Sequence, residues 1–390
     1  MRMPSENSLQ AVSPDPFVPF GIYVHWPFCQ AKCPYCDFNS HVAASVDHSA
    51  WRTAFLGEVA RAAEEIPDRI VGSVYFGGGT PSLMDPRTVG AVIDAIRRHW
   101  RTVNDVEITL EANPTSVEAN RLRAYKDAGV NRISMGIQAL NDTDLKRLGR
   151  LHSATEARTA FGIARQTFDR VSFDLIYARQ DQSFEDWKTE LDQALDMAAD
   201  HLSLYQLTIE DETAFGERFR RGGLHGLPNE DLSADLFELT QEMTEAAGIP
   251  AYEISNHSVP GAQSRHNMVY WTGGDCLGIG PGAHGRLTLN GRRHATEEIS
   301  SPTAWLAAAR EGQTSARTVL SQKDAQEELL LMGLRIREGV ALTALDQIEG
   351  LQQKVANLRD IDLVDVTDGR LSTTKRGRPL LNGILREILA

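Results

Sequence analysis

Short apolar runs alternate with longer amphipathic segments between residues 21 and 209. Six of the runs have strand length and are rich in Ile, Val, Phe and Tyr; they cover residues 21–26, 71–76, 105–111, 132–137, 170–177 and 201–209. The segments between them repeat apolar residues at helical spacing. This alternation predicts an α/β fold with a parallel sheet covered by helices. Six right-handed βα units curl most of the way round a barrel, so the sequence predicts a partial (β/α)6 barrel.

The pattern changes in the second half of the chain. Residues 231–247 predict another helix, and residues 264–287 are rich in glycine. Two helical segments, at 324–340 and 342–360, precede a strand, an Asp-Gly turn, a second strand and a final helix. This order predicts a small C-terminal helical, winged-helix-like domain. The predicted division is a flexible leader at 1–20, a core barrel at 21–230, a barrel extension at 231–315 and a C-terminal domain at 316–390.

The composition is ordinary for a protein with a large core, since 42% of the 390 residues are hydrophobic and 24% are charged. The net charge of −13 argues against a general nucleic-acid binder, which needs a basic face. No apolar run approaches the roughly 18 residues of a membrane span, and the start of the chain contains no secretory h-region. We therefore expect a cytoplasmic protein that does not insert into membranes.

Three of the four cysteines lie close together in the sequence. Cys29, Cys33 and Cys36 have the spacing Cys-x3-Cys-x2-Cys, and Phe38 stands where a fourth ligand could close the set. An odd number of thiols without an export signal argues against disulfides. Iron–sulfur cubanes usually take four thiolates. Three thiolates would leave one iron of a four-iron cluster open to bind another molecule.

Zinc is the alternative metal at these cysteines. A structural zinc ion takes four ligands, so a fourth side chain would be required. The neighbouring candidates are His25, Asp37 and His41. The remaining cysteine, Cys276, lies far away in the sequence and is interpreted as a small buried apolar residue.

Polar or glycine residues follow the predicted strands at the ends where barrel sites form. The cysteines follow the first strand, "GGGTPS" at 77–82 follows the second, and further polar residues end the next four strands. These residues are Glu111, Gln138, Asp174, Tyr205 and Gln206. Glycines allow a ligand to approach the backbone closely, and strand-end acids can bind an ammonium group or ribose hydroxyls. The pattern predicts one site at this edge.

These motifs resemble a known family. The cysteine spacing with Tyr35 before the last cysteine, and "GGGTP", resemble the radical S-adenosylmethionine (SAM) superfamily. The wider set of "LEANP", "NRISMGIQALND", "LKRLGRLHS", "FDLIY", "LSLYQLTIE", "RHNMVYW" and "LGIGPGAHG" resembles its HemN-like branch, and within that branch the HemW-type haem chaperones. The resemblance covers residues 20–390.

The resemblance implies two cofactors in the barrel. Cys29, Cys33 and Cys36 would hold a 4Fe-4S cluster, and its open iron would bind S-adenosyl-L-methionine, which an electron then cleaves to methionine and a 5′-deoxyadenosyl radical. Binding of SAM or substrate is implied for Tyr23, Tyr35, Gly78, Gly79, Thr80, Glu111, Gln138, Arg150 and Asp174. Gln206, Ala283 and His284 would line the same cavity. The cofactor supplies the difficult chemistry and the protein orients it.

Two features separate a chaperone from an oxidase within this branch. The oxygen-independent coproporphyrinogen III oxidases have a fourth cysteine where this chain has Phe38. The stretch "HNMVYW", from His266 to Trp271, resembles the haem motif of the chaperones, so His266 is the implied haem ligand. A neutral imidazole can ligate haem iron, and aromatic rings can stack on a porphyrin. The residues alone favour a structural histidine packed by Tyr270 and Trp271 in a loop.

The implied function is that of a haem chaperone which delivers haem to haem-requiring enzymes. The implied partners are haem-accepting proteins such as respiratory membrane enzymes, an electron donor such as flavodoxin or ferredoxin, and a second copy of the chain in a homodimer. Nucleic acid is not expected as a partner. The alternative is an oxygen-independent coproporphyrinogen III oxidase, because the residues for SAM cleavage are all present. One departure from the family falls after "FDLIY", where a Gly-Leu-Pro turn is replaced by "ARQDQ" at 178–182.

Overall fold

The structure is a computed structural model that describes residues 20–115 and 121–390. The predicted flexible leader therefore lies outside the described residues, except for Phe20, which begins the first strand. No helix in the described part of the chain is long and apolar enough to cross a membrane.

The described residues form sixteen strands and thirteen α-helices. The strands are β1 (Phe20–Trp26), β2 (Phe28–Cys29), β3 (His41–Val42), β4 (Ile70–Gly78), β5 (Arg101–Ala112), β6 (Arg132–Gln138), β7 (Arg170–Tyr177), β8 (His201–Gln206), β9 (Asn256–Ser258), β10 (Cys276–Ile279), β11 (His284–Leu289), β12 (Arg292–Glu298), β13 (Ser315–Val319), β14 (Val340–Ala341), β15 (Val364–Thr367) and β16 (Arg370–Thr373). The helices are α1 (His48–Glu65), α2 (Pro86–His99), α3 (Leu122–Asp127), α4 (Asp142–Arg147), α5 (Ala154–Thr167), α6 (Phe184–Met197), α7 (Ala214–Arg220), α8 (Glu230–Ala246), α9 (Arg265–Trp271), α10 (Pro302–Ala308), α11 (Gln322–Gly333), α12 (Leu351–Asp360) and α13 (Leu381–Leu389).

One eleven-stranded sheet organises the molecule, in the order β13-β12-β11-β10-β1-β4-β5-β6-β7-β8-β9. The six predicted strands, β1 and β4 to β8, lie side by side in chain order and all pair in parallel. The predicted α/β fold with a partial barrel is confirmed. The sheet ends at β13 and β9, as expected of a barrel that does not close.

The strands of the barrel have a polar face and an apolar face. In β6, Ile133, Met135 and Ile137 belong to the main hydrophobic core. The alternate residues Arg132, Ser134, Gly136 and Gln138 line a cavity inside the barrel. Successive residues of a strand point to opposite faces of the sheet. The same strand therefore packs its apolar side chains on the helices and places its polar side chains inside the barrel.

Aromatic residues close the core beside the first strand. Trp51 of α1 stacks on Trp305 of α10 with ring centroids 5.4 Å apart and an interplanar angle of 3°. Trp26 and Phe55 pack on the same group. Large aromatic side chains each bury about 150–250 Å², so this contact joins the barrel firmly to the extension that follows it.

Strands β10 to β13 were not predicted from the sequence. β10 pairs in parallel with β1, and β11, β12 and β13 continue the sheet in antiparallel order. The glycines of 273–285 hide this pattern because glycine is depleted in ordinary strands. Every residue of β13 is exposed, so it carries no alternation of apolar and polar positions.

The C-terminal residues form a separate hydrophobic cluster, from Leu330 to Ile388. β15 and β16 make the predicted hairpin, and its turn places Asp368 and Gly369 at φ values of 51° and 75°. Such values fit a type I′ turn. β14 adds a third strand to the sheet. The helix predicted at 342–360 begins only at Leu351, after Gly350 adopts a left-handed φ of 67°.

Candidate functional site

The carboxyl ends of the parallel strands open onto one cavity of about 450 Å³. Most of the residues singled out from the sequence line it: Cys29, Cys33, Tyr35, Cys36, Gly78, Gly79, Thr80, Glu111, Gln138, Arg150, Asp174, Tyr205 and Gln206. Tyr23, His266, Ala283 and His284 are not among its lining residues. The structure thus brings the cysteine loop together with residues of five parallel strands, β4 to β8, which are far apart in the sequence.

The loop that carries the cysteines is fixed at both ends. β2 pairs with β3, with Cys29 opposite Val42, and this short ladder closes the loop. The side chain of Asn39 donates hydrogen bonds to the carbonyl oxygens of Pro281, at 2.8 Å, and Ser300, at 2.9 Å. Asn39 was not singled out from the sequence, because its partners lie more than 240 residues away and cannot be inferred from local pattern.

The three thiols meet different neighbours on the cavity wall. Thr80 donates a hydrogen bond to Cys29 Sγ at 3.4 Å, and Arg150 Nη1 donates to Cys33 Sγ at 3.4 Å. A Cβ on Gly79 would lie 3.0 Å from Cys29 Sγ and 2.9 Å from the carbonyl oxygen of Phe28, so only glycine fits there. Burial raises the pKa of the Cys29 and Cys36 thiols.

Two of the three alternative zinc ligands outside the cysteines, His25 and His41, already have hydrogen-bond partners. His25 Nδ1 is hydrogen-bonded to Tyr23 at 3.0 Å and its Nε2 to the carbonyl oxygen of Asn39 at 2.9 Å. His41 Nε2 is hydrogen-bonded to Asn39 Oδ1 at 3.0 Å. In the described residues, no group of three or more His, Cys, Asp or Glu side chains converges on the position of a single metal ion.

Arg150 is held between the cysteine loop and the barrel. Its Nη2 donates to the carbonyl oxygen of Gly136 at 2.8 Å and to Asn113 Oδ1 at 2.5 Å, while Nη1 faces Cys33. Such fixed, charge-assisted donors stabilise negative charge on sulfur or on a carboxylate.

Two buried acids face the cavity. Glu111 accepts hydrogen bonds from Tyr75, at 2.8 Å, and from the backbone N–H of Gly78, at 3.2 Å. Burial nevertheless raises its pKa from 4.5 to about 7. Burial also raises the pKa of Asp174 to about 6, although Ser134 donates a hydrogen bond to it at 3.4 Å. In either protonation state a carboxyl group keeps acceptor oxygens, so both groups can accept from hydroxyl or ammonium donors of a ligand.

Gln138 ends β6 in an unusual backbone conformation. Its φ is 75°, and the pairing of β6 with β7 shifts register between Gly136 and Gln138. Left-handed conformations of non-glycine residues cost of the order of 1–3 kcal/mol and are concentrated at functional sites. The bulge re-aims this side chain into the cavity.

His266 lies in helix α9, not in a loop, and is enclosed by the barrel. It is 1% exposed, and its ring stacks on Tyr75 with centroids 5.0 Å apart. Nδ1 is hydrogen-bonded to Ser73 at 2.9 Å and Nε2 to Tyr270 at 2.5 Å. Burial lowers its pKa to about 3, so the imidazole is neutral. In this conformation neither ring nitrogen is free to ligate iron.

Sequence reasoning missed the polar groups at the depth of the cavity. Arg132, Ser134, His201, Ser203, Asn256 and Asn267 all line it. The signal was present for four of them, since polar residues recur at every second position of the strand runs at 132–138 and 201–206. That period places them on one face of the sheet, which is the face that turns inward.

Comparison with known proteins is consistent with this architecture. The family model for the radical SAM superfamily matches residues 23–194, and the model for the HemN C-terminal domain matches residues 320–380. The solved structure of coproporphyrinogen III oxidase (HemN) from Escherichia coli superposes with a TM-score of 0.80 at 22% identity, covering 98% of this chain and 92% of that chain. The superposition establishes the shared fold.

Two curated relatives match almost the whole chain. The heme chaperone HemW of Escherichia coli is 35% identical over 390 residues, which are 95% of this chain and 98% of that protein. The mitochondrial radical S-adenosyl methionine domain-containing protein 1 of Bos taurus is 36% identical over 407 aligned residues, covering 100% of this chain and 92% of that protein. The chain belongs to the radical SAM superfamily and, in its HemN-like branch, to the family that contains the heme chaperone HemW.

Proposed function

We propose that the cavity holds a 4Fe-4S cluster on Cys29, Cys33 and Cys36, with S-adenosyl-L-methionine beside it. The observation that carries the proposal is that three thiols, the Gly78–Thr80 turn and the acid Glu111 line one cavity. A four-iron cluster held by three thiolates keeps one iron open for another molecule. A structural zinc ion would need a fourth protein ligand beside the three cysteines.

The surrounding residues supply binding and orientation. Gly78 and Gly79 bring the backbone close to the ligand, and Glu111 and Asp174 accept hydrogen bonds from its ammonium or hydroxyl groups. When bound, the cluster and SAM together supply reductive cleavage of the sulfonium bond. Arg150 stabilises negative charge beside Cys33.

We further propose that the chain is a haem chaperone that passes haem to haem-requiring proteins. Support comes from the heme chaperone HemW relatives, which align over nearly the whole chain, and from the "HNMVYW" motif at 266–271. Because both nitrogens of His266 are hydrogen-bonded, iron ligation by this residue requires the bond to Tyr270 or to Ser73 to break. An electron donor such as flavodoxin and a second copy of the chain are proposed partners.

The cluster is tested by anaerobic reconstitution with iron and sulfide, followed by Mössbauer and paramagnetic resonance spectroscopy. We expect a four-iron cluster whose resonance signal changes when SAM is added, because SAM would ligate the open iron. Cys33→Ser should lose the cluster, whereas Cys276→Ser, which removes the buried thiol elsewhere, should keep it. A single zinc ion bound at the three sulfurs would refute the proposal.

The chaperone function is tested with the reconstituted protein by measuring haem binding and coproporphyrinogen III turnover side by side. We expect haem binding without turnover, and we expect His266→Ala to weaken it while His99→Ala, at an exposed histidine, does not. Oxidation of coproporphyrinogen III would replace the chaperone proposal with the oxidase. Haem binding unchanged in His266→Ala would remove the ligand role of this residue.

A further inference from the structure

The floor of the cavity carries a second set of polar groups, below the residues proposed to hold SAM. Arg132 and His201 begin β6 and β8, and Asn256 and Asn267 come from the segment that closes the bottom of the barrel. Asn267 belongs to the "HNMVYW" motif, so this motif forms part of the floor while His266 packs behind it. The proposed SAM site leaves these groups unused.

Arg132 is a buried cation without a contacting counterion. It is 2% exposed, and its guanidinium donates to Ser172 Oγ at 3.0 Å and, weakly, to Thr109 Oγ1 at 3.5 Å. Among the ion pairs of the described residues, none includes Arg132. Glu107, on the neighbouring strand, is instead paired with Arg170 at 2.9 Å. The carboxylate of Glu107 attracts this charge without contacting it, and Arg132 in turn offsets part of the rise that burial causes in the pKa of Asp174. The guanidinium can therefore still make a direct ion pair with an anion that enters from the cavity.

His201 lines the same cavity and has a ring nitrogen without a hydrogen-bond partner in the described part of the chain. The ring is 2% exposed, and its Nε2 is hydrogen-bonded to the hydroxyl of Tyr252 at 2.9 Å. Its buried Nδ1 has no hydrogen-bond partner among the described residues. Burial lowers the pKa of this imidazole well below its usual value, so the ring is neutral. In the tautomer with a proton on Nδ1, the ring has one N–H that no described residue accepts.

We propose that the floor binds the carboxylate of a small organic acid, with Arg132 as the charged donor and His201 as a second donor. Carboxylates match the planar fork of a guanidinium and are bound by it more strongly than neutral groups. The inference rests on the proposed function only in that SAM fills the upper cavity. The carbon chain of the acid then lies between the floor and Asp174, where a substrate of the cofactor would be placed.

The volume of the cavity limits what the acid can be. About 450 Å³ is near the lower end of the range that holds one drug-sized ligand. Because SAM would occupy the upper part of this volume, we expect the rest to hold a small acid or one propionate arm and not a whole tetrapyrrole. A small acid and a propionate arm present the same carboxylate group, and the experiments below distinguish them.

The test measures binding of sodium propionate to the full-length chain by ligand-observed NMR, in the cluster-free and the reconstituted forms. We expect millimolar binding, no binding of the neutral isostere propionamide, and a loss of roughly tenfold or more in Arg132→Gln. Arg123→Gln removes an exposed arginine from α3 and should bind propionate like the wild type. Equal binding of propionate and propionamide, or unchanged binding in Arg132→Gln, would overturn the proposal.

Two further measurements make the outcome independent of the folding of one variant. Propionate should raise the melting temperature of the wild-type chain more than propionamide does, and Arg132→Lys, which keeps the charge but loses the fork, should bind with intermediate affinity. Coproporphyrin III and its tetramethyl ester then identify the source. If coproporphyrin III binds in a way that depends on Arg132 and its tetramethyl ester does not bind, the ligand is a propionate arm. If coproporphyrin III does not bind, the ligand is a small free acid. Failure of propionate binding in the cluster-free chain concerns only this inference, since cluster assembly is measured separately.

Discussion

Burial raises the pKa of Glu111 from its usual value of 4.5 to about 7 in the folded chain. This difference makes the stability of the chain depend on pH. Since the folded form holds the proton more tightly, stability contributed by the protonated group is present at low pH and is lost as the pH rises from about 4.5 to about 7. Asp174 adds to the effect because its negative charge opposes ionisation of Glu111.

We predict that Glu111→Gln stabilises the cluster-free chain at pH 8 and has little effect near pH 4.5. The difference between the two pKa values sets an upper bound of roughly 3 kcal/mol on the gain in the free energy of unfolding. Weaker hydrogen bonds of the glutamine to Tyr75 and Gly78 reduce this gain. Urea unfolding at both pH values measures it. Glu349→Gln, at an exposed position, serves as the control. A stability difference that does not grow with pH would contradict the burial argument.

At the scale of elements, the sequence predicted what periodicity controls. The six barrel strands were predicted because their outward faces pack on helices as apolar residues at every second position, and the polar strand ends were predicted because barrel sites form there. Strands β10 to β13 were missed because glycines and exposed residues interrupt the pattern. Helix α9 was interpreted as a loop for another reason: its contacts, such as that between His266 and Ser73, join residues 193 positions apart.

The loop after β7 is an element in which this chain departs from its family, and the structure shows the consequence. Ala178 adopts a left-handed φ of 57°, at the position where the resemblance expects glycine. Arg179 is 3% exposed and forms ion pairs with Asp144, at 2.9 Å, and with Glu190. The buried pairs hold the turn in place despite the strained alanine.

We predict that Ala178→Gly raises the free energy of unfolding by roughly 0.5–1 kcal/mol. The left-handed conformation costs an L-residue about 1–2 kcal/mol, and the added freedom of glycine in the unfolded chain offsets part of the gain. Chemical denaturation measures the change. Ala234→Gly, in the exposed middle of α8, is the matched control and should lose about 1 kcal/mol. Destabilisation by both substitutions would show that the turn is not strained.

At the scale of the whole molecule, the barrel separates the predicted site at the strand ends from the motif that contains the implied haem ligand. The cysteines and the polar strand ends lie at the mouth, whereas the "HNMVYW" motif closes the floor through α9. His266 bonds to β4 through Ser73 and to its own helix through Tyr270. His266 does not line the cavity of about 450 Å³, so haem that binds this imidazole, as proposed, would have to approach from outside the cavity.

We therefore predict that haem binding at His266 displaces α9 from the barrel. Amide hydrogen exchange of residues 265–271 should become faster when haem is added, while exchange in β4 to β8 stays slow, since the barrel itself does not open. Tyr270→Phe removes the hydrogen bond to Nε2 and should tighten haem binding, because that bond no longer has to break. Ser301→Ala, which removes the capping hydroxyl of the distant helix α10, should leave haem affinity unchanged. If haem binds through His266 with no change in exchange of α9, the imidazole must be reached in the packed arrangement, and the argument that the floor opens would be wrong.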